Sequence, residues 1–259
     1  MKEIKGILFD KDGTLLDFHS GWVPVAIRIV NQLLERVGRQ NELSLQVSLL
    51  EAIGLHGNRV EPKGILASGT TQDMSEVFRR VLLEQQVDPA QLEDLEGWLT
   101  EGLYQQTLDN RHNLRPTADL QHLFTQLRRQ GLKIGIATAD DLESTIYFLE
   151  LVGVVSYIDF IGTSDHYEKK PSPSMMRAFC EISGLRAEEV AVVGDTETDI
   201  RFARNSSAGM AIGVLSGVSG LSDLQDLADL VIPSVADIVQ ADERWIWQKD
   251  TNQQVSSTG

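Results

Sequence analysis

Two aspartates, Asp10 and Asp12, stand one residue apart directly after the apolar segment 4–9, and Gly13 follows them. The apolar segment is rich in branched and aromatic side chains, which is typical of a buried strand. Two carboxylates this close repel each other when buried, and a bound divalent cation would remove that repulsion. A few oxygen ligands suit Mg²⁺ better than a soft metal. The spacing therefore indicates a magnesium site in which Asp10 is ready to attack; the alternative is an ordinary turn built from Asp12 and Gly13.

Two further segments carry groups that could bind a phosphate. Thr138 follows the predicted strand 133–137, and a hydroxyl with free backbone N–H groups at such a turn can hold phosphate oxygens. A helix N-cap is the simpler explanation for Thr138 taken alone. Lys169 and Lys170 precede Pro171, so a mobile cation lies beside a backbone that the proline restricts. Paired surface lysines are common, so this segment is weak evidence by itself.

A second acidic segment, Gly194-Asp195 with Asp199 four residues beyond, follows the predicted strand 190–193. Glycine permits a tight backbone turn, and Asp195 would emerge where a cation could be held. Asp199 lies three residues after Thr196, a spacing that also predicts a capping box at the start of a helix.

The elements that must position these groups alternate regularly from residue 115 onward. Strands are predicted at 133–137, 157–161, 190–193, 210–214 and 230–232, with helical patterns between them. Such alternation implies an α/β, Rossmann-like core in three layers, a parallel sheet with helices on both faces. Ligands bind outside the carboxyl ends of the strands in open sheets of this kind, which is where the polar residues stand.

Residues 17–114 show helical periodicity without a convincing strand, so we predict an inserted all-helical domain. The core would then comprise residues 1–16 and 115–248, and the polar tail 249–259 is expected to be disordered. Trp245 and Trp247, just before this tail, are given no position by the pattern.

The glycine-rich loop 54–72 of the insertion is the candidate for substrate selection. Arg59, Lys63, Ser68 and Thr70 could reach the substrate if the insertion closes over the sheet edge, although an ordinary surface connection would look the same. Trp22, near the start of the insertion, is expected to pack on its helices.

Composition restricts the partners and the compartment. The chain of 259 residues has a formal net charge of −15, which argues against non-specific binding to nucleic acid or to an anionic membrane. The sequence shows no apolar run long enough to predict a bilayer span, and no signal peptide is expected. Its one cysteine, Cys180, permits no intrachain disulfide, so a cytoplasmic location is expected. The pattern does not indicate an oligomeric state.

Taken in order, the four polar segments resemble the four motifs of the haloacid dehalogenase-like hydrolases. The matching residues are Asp-x-Asp-Gly-Thr at 10–14, a strand ending in Thr138, Lys170-Pro171, and Gly194-Asp195 with Asp199. The helical insertion resembles the small cap found in the phosphoglycolate phosphatase-like members of that family. The resemblance covers the chain apart from its tail.

The resemblance implies a role for each motif residue. Asp10 would be the nucleophile that forms an aspartyl-phosphate, and Asp12 the general acid and base. The Asp10 side chain, the Asp12 backbone carbonyl and Asp195 would hold Mg²⁺. Thr138 and Lys170 would bind the phosphoryl group, Lys170 being preferred because it directly precedes the proline, and Asp199 would support the metal from outside.

Two positions depart from the family pattern. Lys11 stands between the paired aspartates, where the family usually has an uncharged residue, and strand alternation predicts that its side chain points away from the site. Ala139 and Asp140 follow Thr138 where many relatives carry asparagine or a basic residue, which argues against a direct substrate contact there.

The resemblance implies an Mg²⁺-dependent phosphomonoester phosphatase for a small phosphorylated metabolite, such as a phosphoglycolate-like compound or a sugar phosphate. The second aspartate, Asp12, favours a phosphate substrate over a halide. Two alternatives stay open: a phosphosugar mutase, which keeps both aspartates, and a non-catalytic sensor of phosphorylated ligands on the same fold.

Overall fold

The computed structural model describes residues 3–239 and 244–247. Within them the strands are, in chain order, β1 (Gly6–Phe9), β2 (Leu55–His56), β3 (Arg59–Val60), β4 (Lys133–Ala137), β5 (Phe160–Gly162), β6 (Val190–Gly194), β7 (Met210–Val214) and β8 (Leu230–Ile232). The α-helices are α1 (Phe18–Arg36), α2 (Leu43–Ala52), α3 (Ile65–Ser68), α4 (Thr71–Glu84), α5 (Leu95–Asn110), α6 (Leu120–Arg129), α7 (Leu142–Leu151), α8 (Ser174–Ser183), α9 (Glu197–Asn205) and α10 (Leu221–Leu224). The predicted tail 249–259 lies outside the described residues.

Strand β1 lies at the centre of a six-stranded parallel sheet whose order is β5-β4-β1-β6-β7-β8 in the described chain. Its last residue, Phe9, is paired with Ile136 of β4 on one side and Val193 of β6 on the other. The three strands therefore end at the same level, and the residues that follow them meet at one edge. The strand order reverses at β1, which is where an open α/β sheet has its binding crevice. The predicted α/β class and parallel sheet are confirmed.

Alternate residues of β1 belong to different hydrophobic clusters, one on each face of the sheet. Phe9 packs in a cluster with Phe124 of α6, and Leu8 packs in a cluster with Phe179 of α8. This alternation fixes which face each strand residue covers. Trp245 is buried in the first cluster, and the rings of Trp245 and Trp247 stack with centroids 5.5 Å apart.

The insertion has a hydrophobic cluster of its own, formed mainly by α1, α2, α4 and α5. It differs from the all-helical expectation at one place, because β2 and β3 form an antiparallel hairpin. A two-residue turn connects them, and Gly57 adopts a φ of 63° there, a conformation that glycine enters without steric cost. Strands of two residues are too short to leave a periodic pattern in the sequence. No described helix is both long and apolar enough to span a bilayer.

The insertion leaves the sheet domain and returns to it at adjacent points. The Asp17 backbone N–H donates to the Arg115 carbonyl at 2.8 Å, and Leu16 forms an isolated bridge with Pro116. The predicted cap boundaries at 17 and 114 coincide with this crossing, although the division into domains stays a prediction.

Candidate active site

A buried ion-pair cluster lies where β1 ends. Lys170 Nζ is 2.6 Å from Asp10 Oδ1 and 2.5 Å from Asp199 Oδ1, and its side chain is 6% exposed. Lys169 is exposed. The lysine preceding the proline is therefore the one that reaches the carboxylates, and Asp10 and Asp199 share its single positive charge.

Asp195 follows β6 and is enclosed by backbone. Its Oδ2 accepts a hydrogen bond from the Val218 N–H at 2.8 Å. A methyl group added at Gly13 or Gly217 would lie 2.4 Å or 1.9 Å from the same oxygen. Gly13 also has a φ of 87°, which other residues rarely adopt. The two glycines thus let the loops after β1 and β7 close around the carboxylate.

The chemistry of this cluster fits a hard divalent cation. Asp10 Oδ2 and Asp195 Oδ1 are buried and have no hydrogen-bond partner among the described residues. Carboxylate oxygens of Asp10, Asp195 and Asp199 all lie within 4.8 Å of one another. An all-oxygen donor set of this size suits Mg²⁺. Asp10 and Asp195 have the unpartnered oxygens, so they are the residues that would hold the ion.

Asp199 has a supporting position in the same cluster. Its Oδ2 accepts from the Thr196 N–H at 3.0 Å and from Thr196 Oγ1 at 2.6 Å, while Oδ1 accepts from Lys170. Thr196 and Asp199 form the capping box expected at the start of α9. Because both of its oxygens are engaged, Asp199 positions Lys170 and does not need the cation to satisfy its charge.

Asp12 is held by two donors, one of which lies on the insertion. Its Oδ1 accepts from Lys11 Nζ at 2.8 Å and from Trp22 Nε1 at 2.9 Å. Lys11 Nζ is also 2.9 Å from Asp140 Oδ2, and Lys11 is 2% exposed. The expectation that Lys11 points away from the site needs correction, since its ammonium binds the Asp12 carboxylate.

Thr138 directly follows β4 and is buried beside this cluster, where it lines a cavity that also contains Asp10 and Asp195. Its Oγ1 accepts a hydrogen bond from the Asp140 N–H at 3.1 Å. A hydroxyl that accepts one bond still has its own proton to donate. The N-cap of α7 is Asp141 and not Thr138, so the simpler capping explanation does not apply to this threonine.

A cavity of about 1050 Å³ lies between the sheet edge and the insertion. Ser68 and Thr70, two of the four cap candidates, line it. Arg59 lies in β3, and Lys63 Nζ pairs with Glu197 at 2.7 Å with its side chain 78% exposed. Neither of these two basic residues belongs to the described lining. The Lys63–Glu197 pair instead connects the insertion to the first turn of α9.

Comparisons with known proteins identify the family of this chain. A haloacid dehalogenase-like hydrolase family model matches residues 4–206. The chain belongs to this family. A phosphoglycolate phosphatase from Vibrio vulnificus (strain CMCP6) is 27% identical over 221 residues, which cover 83% of this chain and 87% of the relative.

This hydrolase shares its fold with proteins of known structure. A predicted phosphoglycolate phosphatase from Haemophilus somnus superposes with a TM-score of 0.68 and 20% identity, covering 92% of this chain and 97% of the other. A beta-phosphoglucomutase from Clostridium difficile superposes with a TM-score of 0.58 and 17% identity, covering 90% of this chain and 92% of the other.

The buried charges shift the proton affinities of this hydrolase's site. Burial raises the pKa of Asp10 to about 7, against the opposing attraction of Lys170. Burial and the nearby Asp10 raise the pKa of Asp195 well above its ordinary value. Burial would lower the pKa of Lys170, but the charges of Asp10 and Asp199 outweigh it and the pKa is raised. Lys170 therefore stays protonated, whereas Asp10 and Asp195 hold protons more tightly than free carboxylic acids do.

Without metal, the contribution of Asp10 to stability is expected to fall as the pH rises from about 4 to about 7. The folded state keeps a proton on Asp10 in this window that the unfolded chain has released, so raising the pH favours unfolding. Mg²⁺ needs the ionised carboxylates, so the increase in Tm that it produces should grow over the same window. Thermal unfolding in EDTA and in Mg²⁺ across this range measures both effects.

The Asp10→Asn variant is the control for this pH dependence, because it keeps the shape of the side chain and cannot titrate. Its Tm in EDTA should fall less steeply with pH than that of the wild type. Equal slopes for the two proteins would show that Asp10 does not carry the effect.

Three contacts of the site were not predicted from the sequence. They are the Trp22 hydrogen bond to Asp12, the Lys11–Asp140 pair, and the Val218 N–H that binds Asp195. The charge of Lys11 inside the first motif was a signal for the second of these. No periodicity or motif marks the other two, which depend on how distant segments fold together.

Proposed function

We propose that this protein is an Mg²⁺-dependent phosphatase that hydrolyses phosphomonoesters of small metabolites through an aspartyl-phosphate on Asp10. The observation that carries the proposal is the unpartnered, buried Asp10 Oδ2 beside the fully compensated Lys170. Membership of a hydrolase family and the phosphoglycolate phosphatase name of a relative support the same reaction. One cysteine leaves no pair for an intrachain disulfide, so we place the enzyme in the cytoplasm.

The residues of the chain divide the reaction into two steps. Asp10 attacks the phosphorus, the bond to the leaving oxygen breaks, and Asp12 donates its proton to that oxygen. Asp12 then takes a proton from a water molecule, which attacks the phosphorus of the aspartyl-phosphate. The bond between the phosphorus and the Asp10 oxygen breaks, which releases inorganic phosphate and restores the Asp10 carboxylate. Lys170 and the Thr138 hydroxyl offer positive charge and a hydrogen bond to the phosphoryl oxygens. When bound, Mg²⁺ would neutralise the converging negative charges and align the phosphoryl group.

Asp12 must change its protonation between the two steps without losing its position. Lys11 and Trp22 bind the same oxygen, Oδ1, from the sheet domain and from the insertion. The other carboxylate oxygen is thereby directed for proton transfer. Lys11 acts through Asp12 and is a positioning residue in this mechanism.

Replacing Lys11 by Met is expected to lower kcat by about 10- to 100-fold with little change in KM, because general acid–base catalysis depends on the placement of Asp12. Steady-state kinetics on an aryl phosphate measure both constants. Lys5→Met, at an exposed lysine paired with Glu189, is the matched control.

The Lys11→Met variant also leaves Asp12 and Asp140 without their shared cation. The double variant Lys11→Met/Asp140→Asn removes that repulsion, so it should unfold at a higher temperature than Lys11→Met and still show the reduced kcat. Recovery of full kcat in the double variant would contradict a positioning role.

An aryl phosphate assayed with Mg²⁺ and with EDTA tests the proposed function. We expect phosphate release that requires Mg²⁺. Absence of turnover with any member of a broad phosphoester panel would favour a sensor. A phosphoryl group recovered on a second hydroxyl of a sugar, with no free phosphate, would favour a mutase.

A further inference from the structure

The cavity has more acidic side chains than the cation would need. In addition to the carboxylates at the strand ends, four acidic side chains line it. They are Glu101 of α5, Glu143 and Glu150 of α7, and Asp141, the N-cap of α7. The Tyr104 hydroxyl of α5 donates to Glu143 Oε1 at 2.7 Å, which joins these two walls. The part of the cavity available to the remainder of a substrate is therefore negatively charged.

Positive charge on the same walls is scarce. Lys170 and Lys169 are the two lysines of the described lining, which contains no arginine. Lys170 is paired with the buried carboxylates of Asp10 and Asp199. Lys169 lies near Asp73 and helps to lower the pKa of that carboxyl group, after the stronger effect of the hydrogen bonds from Thr70. His166 is 3.2 Å from the Asp165 carboxylate.

Apart from Glu101, the insertion contributes neutral groups to the cavity. Its described lining offers the hydroxyls of Ser68, Thr100, Tyr104 and Thr107 together with apolar and aromatic side chains. Hydroxyls of this kind can donate to and accept from an alcohol, and they do not compensate a carboxylate.

Resting on the proposed function, we infer that the alcohol released from the substrate carries no negative charge. It is a small hydroxyl-bearing or amine-bearing alcohol, and phosphoglycolate, which carries a carboxylate, is a poor substrate. Like charges brought together without a partner oppose binding, whereas the same walls accept neutral and positively charged groups. The specificity of this enzyme therefore differs from that given by the name of its relative from Vibrio vulnificus.

Three two-carbon phosphomonoesters of similar size test the inference: phosphoglycolate, hydroxyethyl phosphate and phosphoethanolamine. We expect kcat/KM for hydroxyethyl phosphate and for phosphoethanolamine to exceed that for phosphoglycolate by about tenfold or more. Added salt should narrow the gap, because it screens charges in an open cavity. A phosphoglycolate kcat/KM equal to or above that of hydroxyethyl phosphate would overturn the inference.

Charge-neutral variants locate the effect. Glu101→Gln should raise the ratio of kcat/KM for phosphoglycolate to kcat/KM for hydroxyethyl phosphate by about threefold. Glu96→Gln, on the same helix and outside the described lining, should leave the ratio as in the wild type. Equal ratios in all three proteins would overturn the role of this wall.

The outcomes separate this inference from the function on which it rests. Mg²⁺-dependent turnover that favours phosphoglycolate would refute the inferred substrate preference and support the proposed phosphatase activity. Absence of turnover with the three esters and with the aryl phosphate removes both.

Discussion

Asp10→Asn is expected to reduce turnover of an aryl phosphate by about 10⁴-fold or more, because an amide cannot serve as the nucleophile. The substitution also removes one negative charge from the proposed cation site. Asparagine has nearly the same shape as aspartate. Lys170 keeps its pairing with Asp199 in this variant, so the buried ammonium is not left without a partner. The loss should therefore appear in kcat while the protein remains folded, as measured by initial rates and by thermal unfolding.

The control for this substitution is Asp226→Asn, at an exposed aspartate that does not line the cavity. It should retain the wild-type rate. An Asp10→Asn protein whose turnover remains within about tenfold of wild type would exclude Asp10 as the nucleophile.

Lys170→Met should abolish turnover and lower the free energy of unfolding by about 3–5 kcal/mol, the cost of removing one partner from a buried ion pair. Lys170 Nζ lies within hydrogen-bond distance of both Asp10 and Asp199. Methionine fills a similar volume without charge, so the two carboxylates lose their compensation. Denaturant unfolding in EDTA measures the difference from wild type.

Lys169→Met is a closely matched control, since it removes the adjacent lysine of the same segment. Lys169 is exposed, so its replacement should change the unfolding free energy by no more than about 0.5 kcal/mol. Mg²⁺ should restore part of the stability lost in Lys170→Met, because a cation that binds the folded state raises its stability. Equal stability of the two variants in EDTA would contradict the structural role of Lys170.

The sequence predicted the meeting of Asp10 and Asp195 because both follow short apolar runs that have few alternatives to a buried strand. Parallel strands with Phe9 paired to Val193 must place the next residues side by side. The order of strands and helices, and the edge at which the charges gather, follow from the same physical constraint.

Contacts between individual groups of the loops and of the insertion were not predicted from the pattern. Trp22 belongs to the amphipathic helix α1. Its indole N–H donates to Asp12 because the insertion folds over the sheet edge. Val218 reaches Asp195 because Gly217 leaves room for the loop. Lys63 was a candidate for substrate contact because it lies in the loop 54–72, but its exposed ammonium pairs with Glu197 of α9.

The adjacent crossing points at Asp17 and Arg115 have an evolutionary consequence. Because the chain departs and returns at one place, a single recombination event can exchange the whole intervening stretch of coding sequence. The parallel sheet and the buried carboxylates at its edge lie outside that stretch, and Trp22, which binds Asp12, lies within it. New specificities can arise in such a lineage by replacement of one continuous genetic segment, while the chemistry inherited from the ancestor is preserved.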